Sequence, residues 1–356
     1  MLLNNRKVKA LSEKYQIDEV EIKLIALNRF GVKSDILDNR IRFLANIKGC
    51  KKPYYFAVCV NTTESPFELC GDKLLFDGEE FGEIITPEKD TCDTTYFRRN
   101  KTELTLNSNR RSNCRGCKFC GTYALKPEDE NNLLTEEKIS RHIKQVLKEN
   151  DMKDLHNVVR VTVCTGCFCS EEELVEHLIL VYKTLNKFGF DKTLRYIGSQ
   201  LRSDKALLKI KQNIPHFSLS LTVECFSRRE ELMKPIKASL KLQDMQYILE
   251  KAKEYGFGAN FLYICGLDPL DVMKYNFIEL KPYINRFPVV QVLQDYTAEQ
   301  EDCRCEEAKE MDYYLKARKF LENLFCDVSY RPRSWENYRS LFYETFAGEA
   351  HNSIKK

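Results

Sequence analysis

Cys114, Cys117 and Cys120, in the run Asn113-Cys114-Arg115-Gly116-Cys117-Lys118-Phe119-Cys120-Gly121, are the residues best placed by type and spacing to do chemistry. Thiolates this close, beside two glycines and an aromatic ring, form a nest for a metal ion or an iron–sulfur cluster, whereas a disulfide would use only two of them. Zinc asks for a fourth Cys or His, most often from a second C-x2-C unit, and no clean unit follows at finger-like distance. Three thiolates suit a [4Fe–4S] cluster with one iron left open to another ligand. The bland alternative is a set of inert cysteines, because cysteine is often a small buried hydrophobe.

The elements around this run must hold it in place. From about residue 100, short β-like runs alternate with helix-length amphipathic runs, the signature of repeated βα units and a parallel sheet. Strands are expected at 103–107, 158–163, 193–197, 217–223, 260–264 and 289–293, and helices at 136–149, 171–188, 203–212, 240–255, 270–284 and 305–325. The helix at 240–255 is the best defined. Leu242, Met245, Ile248, Leu249 and Ala252 make one apolar stripe, Ser239 stands where a cap would, and Gly256 follows the end. The first cysteine loop follows the first of these strands. Six consecutive units make an α/β partial (βα)6 TIM-like barrel.

The run Phe217-Ser218-Leu219-Ser220-Leu221-Thr222-Val223-Glu224 alternates strictly. With Phe217, Leu219, Leu221 and Val223 under the helices, Ser218, Ser220, Thr222 and Glu224 face the interior. A lumen lined with hydroxyls and a carboxylate reads as a binding site, since a structural barrel fills its centre with branched apolar side chains. An exposed edge strand with one wet face is the competing reading. Arg160 and Arg195, from strands two and three, are read either as entering the same interior to grip an anionic substrate group or as surface ion pairs. The five histidines have no metal-ligand spacing and are read as structural.

The first hundred residues differ in kind. Helix-period apolar positions fill 7–30, and 41–86 reads as short strands and turns, with Asp77-Gly78 marking a tight hairpin. The chain therefore divides into a small α+β domain at 1–95, possessing a polar linker near 87–93, a barrel at 100–300 and a helical C-terminal extension at 301–356. The extension carries Trp335, Tyr338, Phe342 and Tyr343, which can close the barrel mouth or pack on the N-terminal domain.

With 356 residues, 43% of them hydrophobic and 31% charged, the composition is that of an ordinary soluble enzyme. No apolar run approaches the roughly 20 residues of a membrane span, and the N-terminus lacks the apolar stretch of a secretory signal. A cytoplasmic location is the expectation. Fifteen cysteines without a paired pattern point to reduced thiols and metal ligation. A net charge of +3, dispersed over the chain, argues against nucleic acid as partner.

Taken together, the cysteine run after the first strand of a six-unit βα barrel resembles the radical S-adenosylmethionine (SAM) enzymes over residues 100–295. The resemblance implies that Cys114, Cys117 and Cys120 hold a [4Fe–4S] cluster whose open iron chelates SAM. It also implies reductive cleavage of SAM to a 5′-deoxyadenosyl radical that abstracts hydrogen from a substrate. Phe119 then takes the aromatic position near the adenine, and Thr165 and Gly166, before Cys167 and Phe168, the turn that meets the SAM amino group. Ser218, Ser220 and Glu224 line the SAM or substrate site, Lys237 and Lys241 stand where a basic residue meets the SAM carboxylate, and Gly266 lets the backbone approach the adenine. The runs from Glu224 to Pro235 and from Tyr263 to Asp268 look like the biotin-synthase-like branch. The implied substrate is a small molecule in cofactor or natural-product biosynthesis, with a peptide, a tRNA and a non-catalytic iron–sulfur or zinc protein as alternatives. An external donor such as flavodoxin or ferredoxin supplies the electron.

Two features depart from the family pattern. The spacing is C-x2-C-x2-C, one residue shorter than the usual C-x3-C-x2-C, a change Gly116 can absorb. Cys167 replaces an acidic residue of the turn. Cys164, Cys167 and Cys169 form a second group and Cys303 with Cys305 a third. An auxiliary cluster and ordinary buried thiols are both open for these, and the weight falls on the thiols.

Overall fold

The computed structural model describes residues 3–36, 39–60, 65–88, 95–108, 116–120, 132–327, 330–332 and 339–350. Cys114, residues 89–93 of the expected linker and Trp335 and Tyr338 of the tail lie outside them. Two helices open the chain. Asn4 caps α1 (Asn5–Tyr15), its side chain accepting from the Lys7 N–H, and α2 (Glu19–Phe30) follows, buried along most of its length. Five strands come next, β1 (Arg40–Ile47), β2 (Tyr54–Cys59), β3 (Phe67–Cys70), β4 (Lys73–Phe76) and β5 (Glu79–Glu88), in an antiparallel sheet of order β2-β1-β5-β4-β3. Asp77 and Gly78 both have positive φ, +52° and +79°, the conformation that a two-residue hairpin between right-twisted strands requires.

The second sheet has seven strands in sequence order, β6 (Tyr96–Arg98), β7 (Glu103–Leu106), β8 (Arg160–Cys164), β9 (Thr193–Gly198), β10 (Phe217–Glu224), β11 (Gly258–Cys265) and β12 (Val289–Val292). From β7 to β12 every pairing is parallel, while β6 pairs antiparallel with β7. Helices α3 (Glu136–Glu149), α4 (Glu171–Asn186), α5 (Asp204–Asn213), α8 (Leu242–Glu254) and α9 (Leu270–Leu280) make the crossovers. Two single-turn helices, α6 (Arg229–Leu232) and α7 (Pro235–Ala238), are inserted between β10 and α8. A sequential parallel sheet buried under helices brings the carboxyl ends of its strands to one edge, and loops at that edge can converge on one point.

Beyond β12 come α10 (Ala298–Glu301), α11 (Met311–Leu324) and a minimal hairpin of β13 (Thr345–Phe346) and β14 (Glu349–Ala350), so the extension is not wholly helical. It is joined to the N-terminal elements through buried polar contacts. Arg318 of α11 pairs with Glu21 of α2 at 2.9 Å, and the Glu21 carboxylate also accepts the N–H groups of Tyr343, Glu344 and Thr345. Among the described residues no helix is long and apolar enough to cross a membrane.

Candidate functional site at the carboxyl edge of the parallel sheet

Two of the three triad cysteines are described, and both sit at this edge. Cys117 and Phe119 are 7% and 6% exposed, packed with Leu262 and Ile264 of β11 and with Val289 and Leu293 of the last strand and its end. The loop is tied down by its backbone: Lys118 N–H donates to Leu232 O at 2.9 Å, Cys120 N–H to Cys117 O at 3.0 Å, and the Gln300 amide to Cys120 O at 3.0 Å. Gly116 has φ +102°, and a Cβ there would lie 3.1 Å from Lys234 Cβ. Glycine is thus required both by the turn and by the close approach of α6–α7.

Burial pushes the Cys117 thiol up to about 11, while Lys237 and the Lys234 N–H pull it the other way. An anionic sulfur at this place therefore needs a cation beside it, and two ammonium groups stand near, one of them already paired with a carboxylate. The Lys234 ammonium, 7% exposed, donates to Cys167 Sγ, so Lys234 joins the cysteine loop to the turn after β8. Lys237 pairs with Glu224 at 2.8 Å, with both side chains nearly buried. Lys234 has no signal in the sequence as a site residue; only its place before Pro235 at the start of α7 sets it there.

Glu224 ends β10 with φ +68°, where the register against β11 slips between Thr222 and Glu224. This left-handed residue turns the chain toward the inserted helices. The cationic partner that a buried carboxylate needs is provided by the protein's own Lys237. Lys241 lies elsewhere, as the cap residue of α8, its N–H held by Asp244 in a capping box. Ser239 is not the cap; its hydroxyl donates to Ile236 O.

The polar face of β10 is used in layers. Ser218 donates to Gly258 O, and Ser220 accepts from Arg195 Nε at 2.9 Å and donates to Asn260 Oδ1. Both serines are at most 1% exposed, so their hydroxyls build the sheet interior. Arg160 is likewise engaged, in a buried pair with Glu103 of β7. Thr222, one rung nearer the edge, has a buried Oγ1 with no partner among the described residues. At the edge that carries the cysteine loop, this buried hydroxyl is a hydrogen-bonding group not used by the described protein atoms.

The turn after β8 is held through its backbone. Gln200 clamps Phe168 with two 2.8 Å hydrogen bonds, one to its N–H and one from the Gln200 amide to its carbonyl. Gly166 is buried, Thr165 and Cys167 half-buried. The Tyr196 ring folds over Gly198, where any Cβ would fall on its hydroxyl. Burial holds that hydroxyl protonated, with Cys167 and Lys237 in its field.

Gly266 has φ +122°, and the space its Cβ would take is filled by Leu293, Tyr314 and Arg304. Packing within the protein accounts for this glycine. Asp268, two residues on, is buried and accepts from the Phe226 N–H, the Ser227 N–H and the Ser227 hydroxyl; burial raises its pKa and these bonds oppose the rise. Cys303 and Cys305 donate to the carbonyls of Glu299 and Asp268. Among the described residues no three His, Cys, Asp or Glu side chains converge as a metal site. A cleft of about 540 Å³ opens outside the sheet between α6, α8 and α9, lined by Phe226, Arg229, Lys241 and Met245.

No protein-family model and no curated protein matches the chain. Among solved structures it is similar to Streptococcus suis SuiB bound to S-adenosylmethionine, with 14% identity over 60% of this chain and 47% of that one and a TM-score of 0.40. TsrM, a radical S-adenosylmethionine methyltransferase from Kitasatospora setae, matches with 6% identity over 54% of this chain and 36% of that one, at 0.36. The arginine decarboxylase of Paramecium bursaria Chlorella virus matches with 13% identity over 62% and 55%, at 0.29. The chain spans about half the length of SuiB. Likenesses this distant assign neither a family nor an activity.

Proposed function

We propose that the chain is a radical SAM enzyme in which Cys114, Cys117 and Cys120 hold a [4Fe–4S] cluster at the carboxyl edge of a sheet curled into a partial (βα)6 barrel. The observation that supports it is the docking of the cysteine loop onto the ends of β11 and β12, beside Lys234, Lys237 and the unpartnered Thr222 hydroxyl. The donor set fits the group: soft thiolates at close spacing suit iron and sulfide, and the Lys234 ammonium offsets part of the negative charge of a thiolate cluster. When bound, the cluster supplies a low-potential electron for reductive cleavage of SAM to methionine and a 5′-deoxyadenosyl radical.

The protein's own residues do the rest. Thr222 and Glu224 orient the polar end of SAM, and Thr165 and Gly166 bound it from the opposite loop. Phe119 and the apolar ends of β11 and β12 keep water from the reacting centre. The substrate is a small molecule in cofactor or natural-product biosynthesis, and the electron comes from a flavodoxin- or ferredoxin-type donor. Residues 1–95 form the recognition domain, 100–300 the catalytic one, and 301–356 the extension that binds the two together.

The test is anaerobic reconstitution with iron and sulfide, followed by SAM and dithionite. Full-length protein should turn brown and release 5′-deoxyadenosine, and Cys117→Ser should lose both properties. A fully loaded cluster that yields no deoxyadenosine overturns the reading.

A further inference from the structure

Ser108, two residues past the end of β7, is 0% exposed, and His177 of α4 is 5% exposed. Their side chains meet: His177 Nε2 and Ser108 Oγ share a hydrogen bond of 2.7 Å. Leu174, Leu178 and Val181 of the same helix are fully buried, so a polar ring at 177 interrupts an otherwise apolar run. A buried imidazole or hydroxyl is costly without a partner, whereas two apolar groups of the same shape in their place cost the fold little. Burial holds the His177 pKa down at about 4, so the ring is neutral and the bond joins uncharged groups. What the pair adds is direction, because it fixes which part of the chain lies against α4.

That part is the neck of the cysteine loop. Ser108 O accepts the Leu133 N–H at 2.7 Å, which closes the segment that carries Cys114, Cys117 and Cys120 at its base. The His177 ring also lies against Phe168, with ring centres 4.9 Å apart. Phe168 is the residue that Gln200 clamps, one position after Cys167. Cys167 in turn receives the Lys234 ammonium, and Lys234 lies close to Gly116. His177 thus contacts the base of the cysteine loop and the turn after β8 that meets the loop through Lys234.

From this we infer that His177 is a positioning residue for the cysteine loop: through Ser108 it fixes the neck from which Cys117 and Cys120 are presented at the sheet edge. It acts through the chain, by way of Ser108 and Phe168. Holding the two ends of a loop together removes conformational freedom before any ligand binds, so a docked neck lowers the cost of bringing three thiolates to one centre. That this centre is an iron–sulfur cluster rests on the proposed function; the docking of the loop does not.

The experiment is alkylation of the full-length, metal-free protein with iodoacetamide, the rate at each cysteine being read by mass spectrometry. His177→Phe keeps a ring beside Phe168 and loses the hydrogen bond, and Ser108→Ala loses the same bond from the other side. Each should speed alkylation of Cys117 about tenfold, the effect of one hydrogen bond on a local opening. Cys59 and Cys265, each buried in one of the two sheets, should keep the parent rate, which separates a loosened loop from a loosened fold. His177→Gln, whose amide reaches toward Ser108 as Nε2 does, should stay closer to the parent than His177→Phe. The double variant His177→Phe with Ser108→Ala leaves neither polar partner behind, so it should melt near the parent temperature and still expose Cys117, and it keeps the test decisive if a single variant does not fold. A Cys117 rate in the double variant equal to the parent's, or one that rises only in step with Cys59 and Cys265, overturns the assignment. Iron and sulfide retained after reconstitution are measured on the same proteins. A parent that holds no cluster defeats the proposed function and leaves the alkylation result standing.

Discussion

Gly116 carries two constraints at once, a φ of +102° and a contact that leaves a Cβ only 3.1 Å from Lys234 Cβ. An alanine there faces the backbone penalty of a left-handed residue, about 1–2 kcal/mol, and must also push back α7, from which Lys234 reaches Cys167. Gly71 has φ +64° but nothing within 4 Å of its Cβ position, so Gly71→Ala meets the backbone penalty alone. Gly116→Ala should therefore lower the iron and sulfide retained after reconstitution, whereas Gly71→Ala should leave both at the parent level. Equal retention in the two variants would mean that the loop is not anchored through Lys234. The cysteines, Glu224 and Lys237 could be picked out from residue type and position. Lys234, Tyr196 and Gln300 could not, because their roles depend on contacts across 67 positions for Lys234 with Cys167 and 180 for Gln300 with Cys120.

The parallel strands and their crossover helices were legible because each carries its own period: alternation in β10, and an apolar stripe of Met245, Ile248, Leu249 and Ala252 in α8. Short elements were not. The three residues of β6 show no period, and their turn into β7 places Arg99, Asn100 and Lys101 all at positive φ, of which only the asparagine hints at such a conformation. The start of α8 was misplaced for a similar reason. Ser239 is a good cap by type, but α7 runs to Ala238 and claims it as its own last turn, so the helix begins at Leu242, with Asp244 reaching back to the Lys241 N–H. Asp244→Ala should accordingly destabilise the protein by about 1 kcal/mol, seen as a lower denaturation midpoint. Ser239→Ala should shift the midpoint by much less, and the reverse order would restore Ser239 as the cap.

Across the whole molecule, the N-terminal helices and the returning tail close on one buried ion pair that no local pattern announces, since Glu21 and Arg318 are 297 positions apart. Arg318 is 1% exposed and meets Glu21, Glu322, Leu341 O and Thr345 O, so one guanidinium fastens α2, α11 and the terminal hairpin. Burial alone would raise the Glu21 pKa, but Arg318 and the N–H groups of Thr345 and Glu344 hold it below its ordinary 4.5. A carboxylate with a depressed folded-state pKa contributes stability above its unfolded value, and that contribution is lost as pH falls through the folded value. The parent should thus lose this part of its stability only below about pH 4.5. Arg318→Met leaves Glu21 as a buried charge without its cation, which costs about 3–5 kcal/mol near neutrality. Without the cation, burial dominates and the Glu21 pKa rises, so the variant should recover relative to the parent as pH falls and Glu21 becomes neutral. Chemical denaturation of both proteins between pH 7 and pH 4 reads this directly. A stability gap that stays constant over that range would show that Arg318 acts through packing and its carbonyl contacts, with no part played by the charge of Glu21.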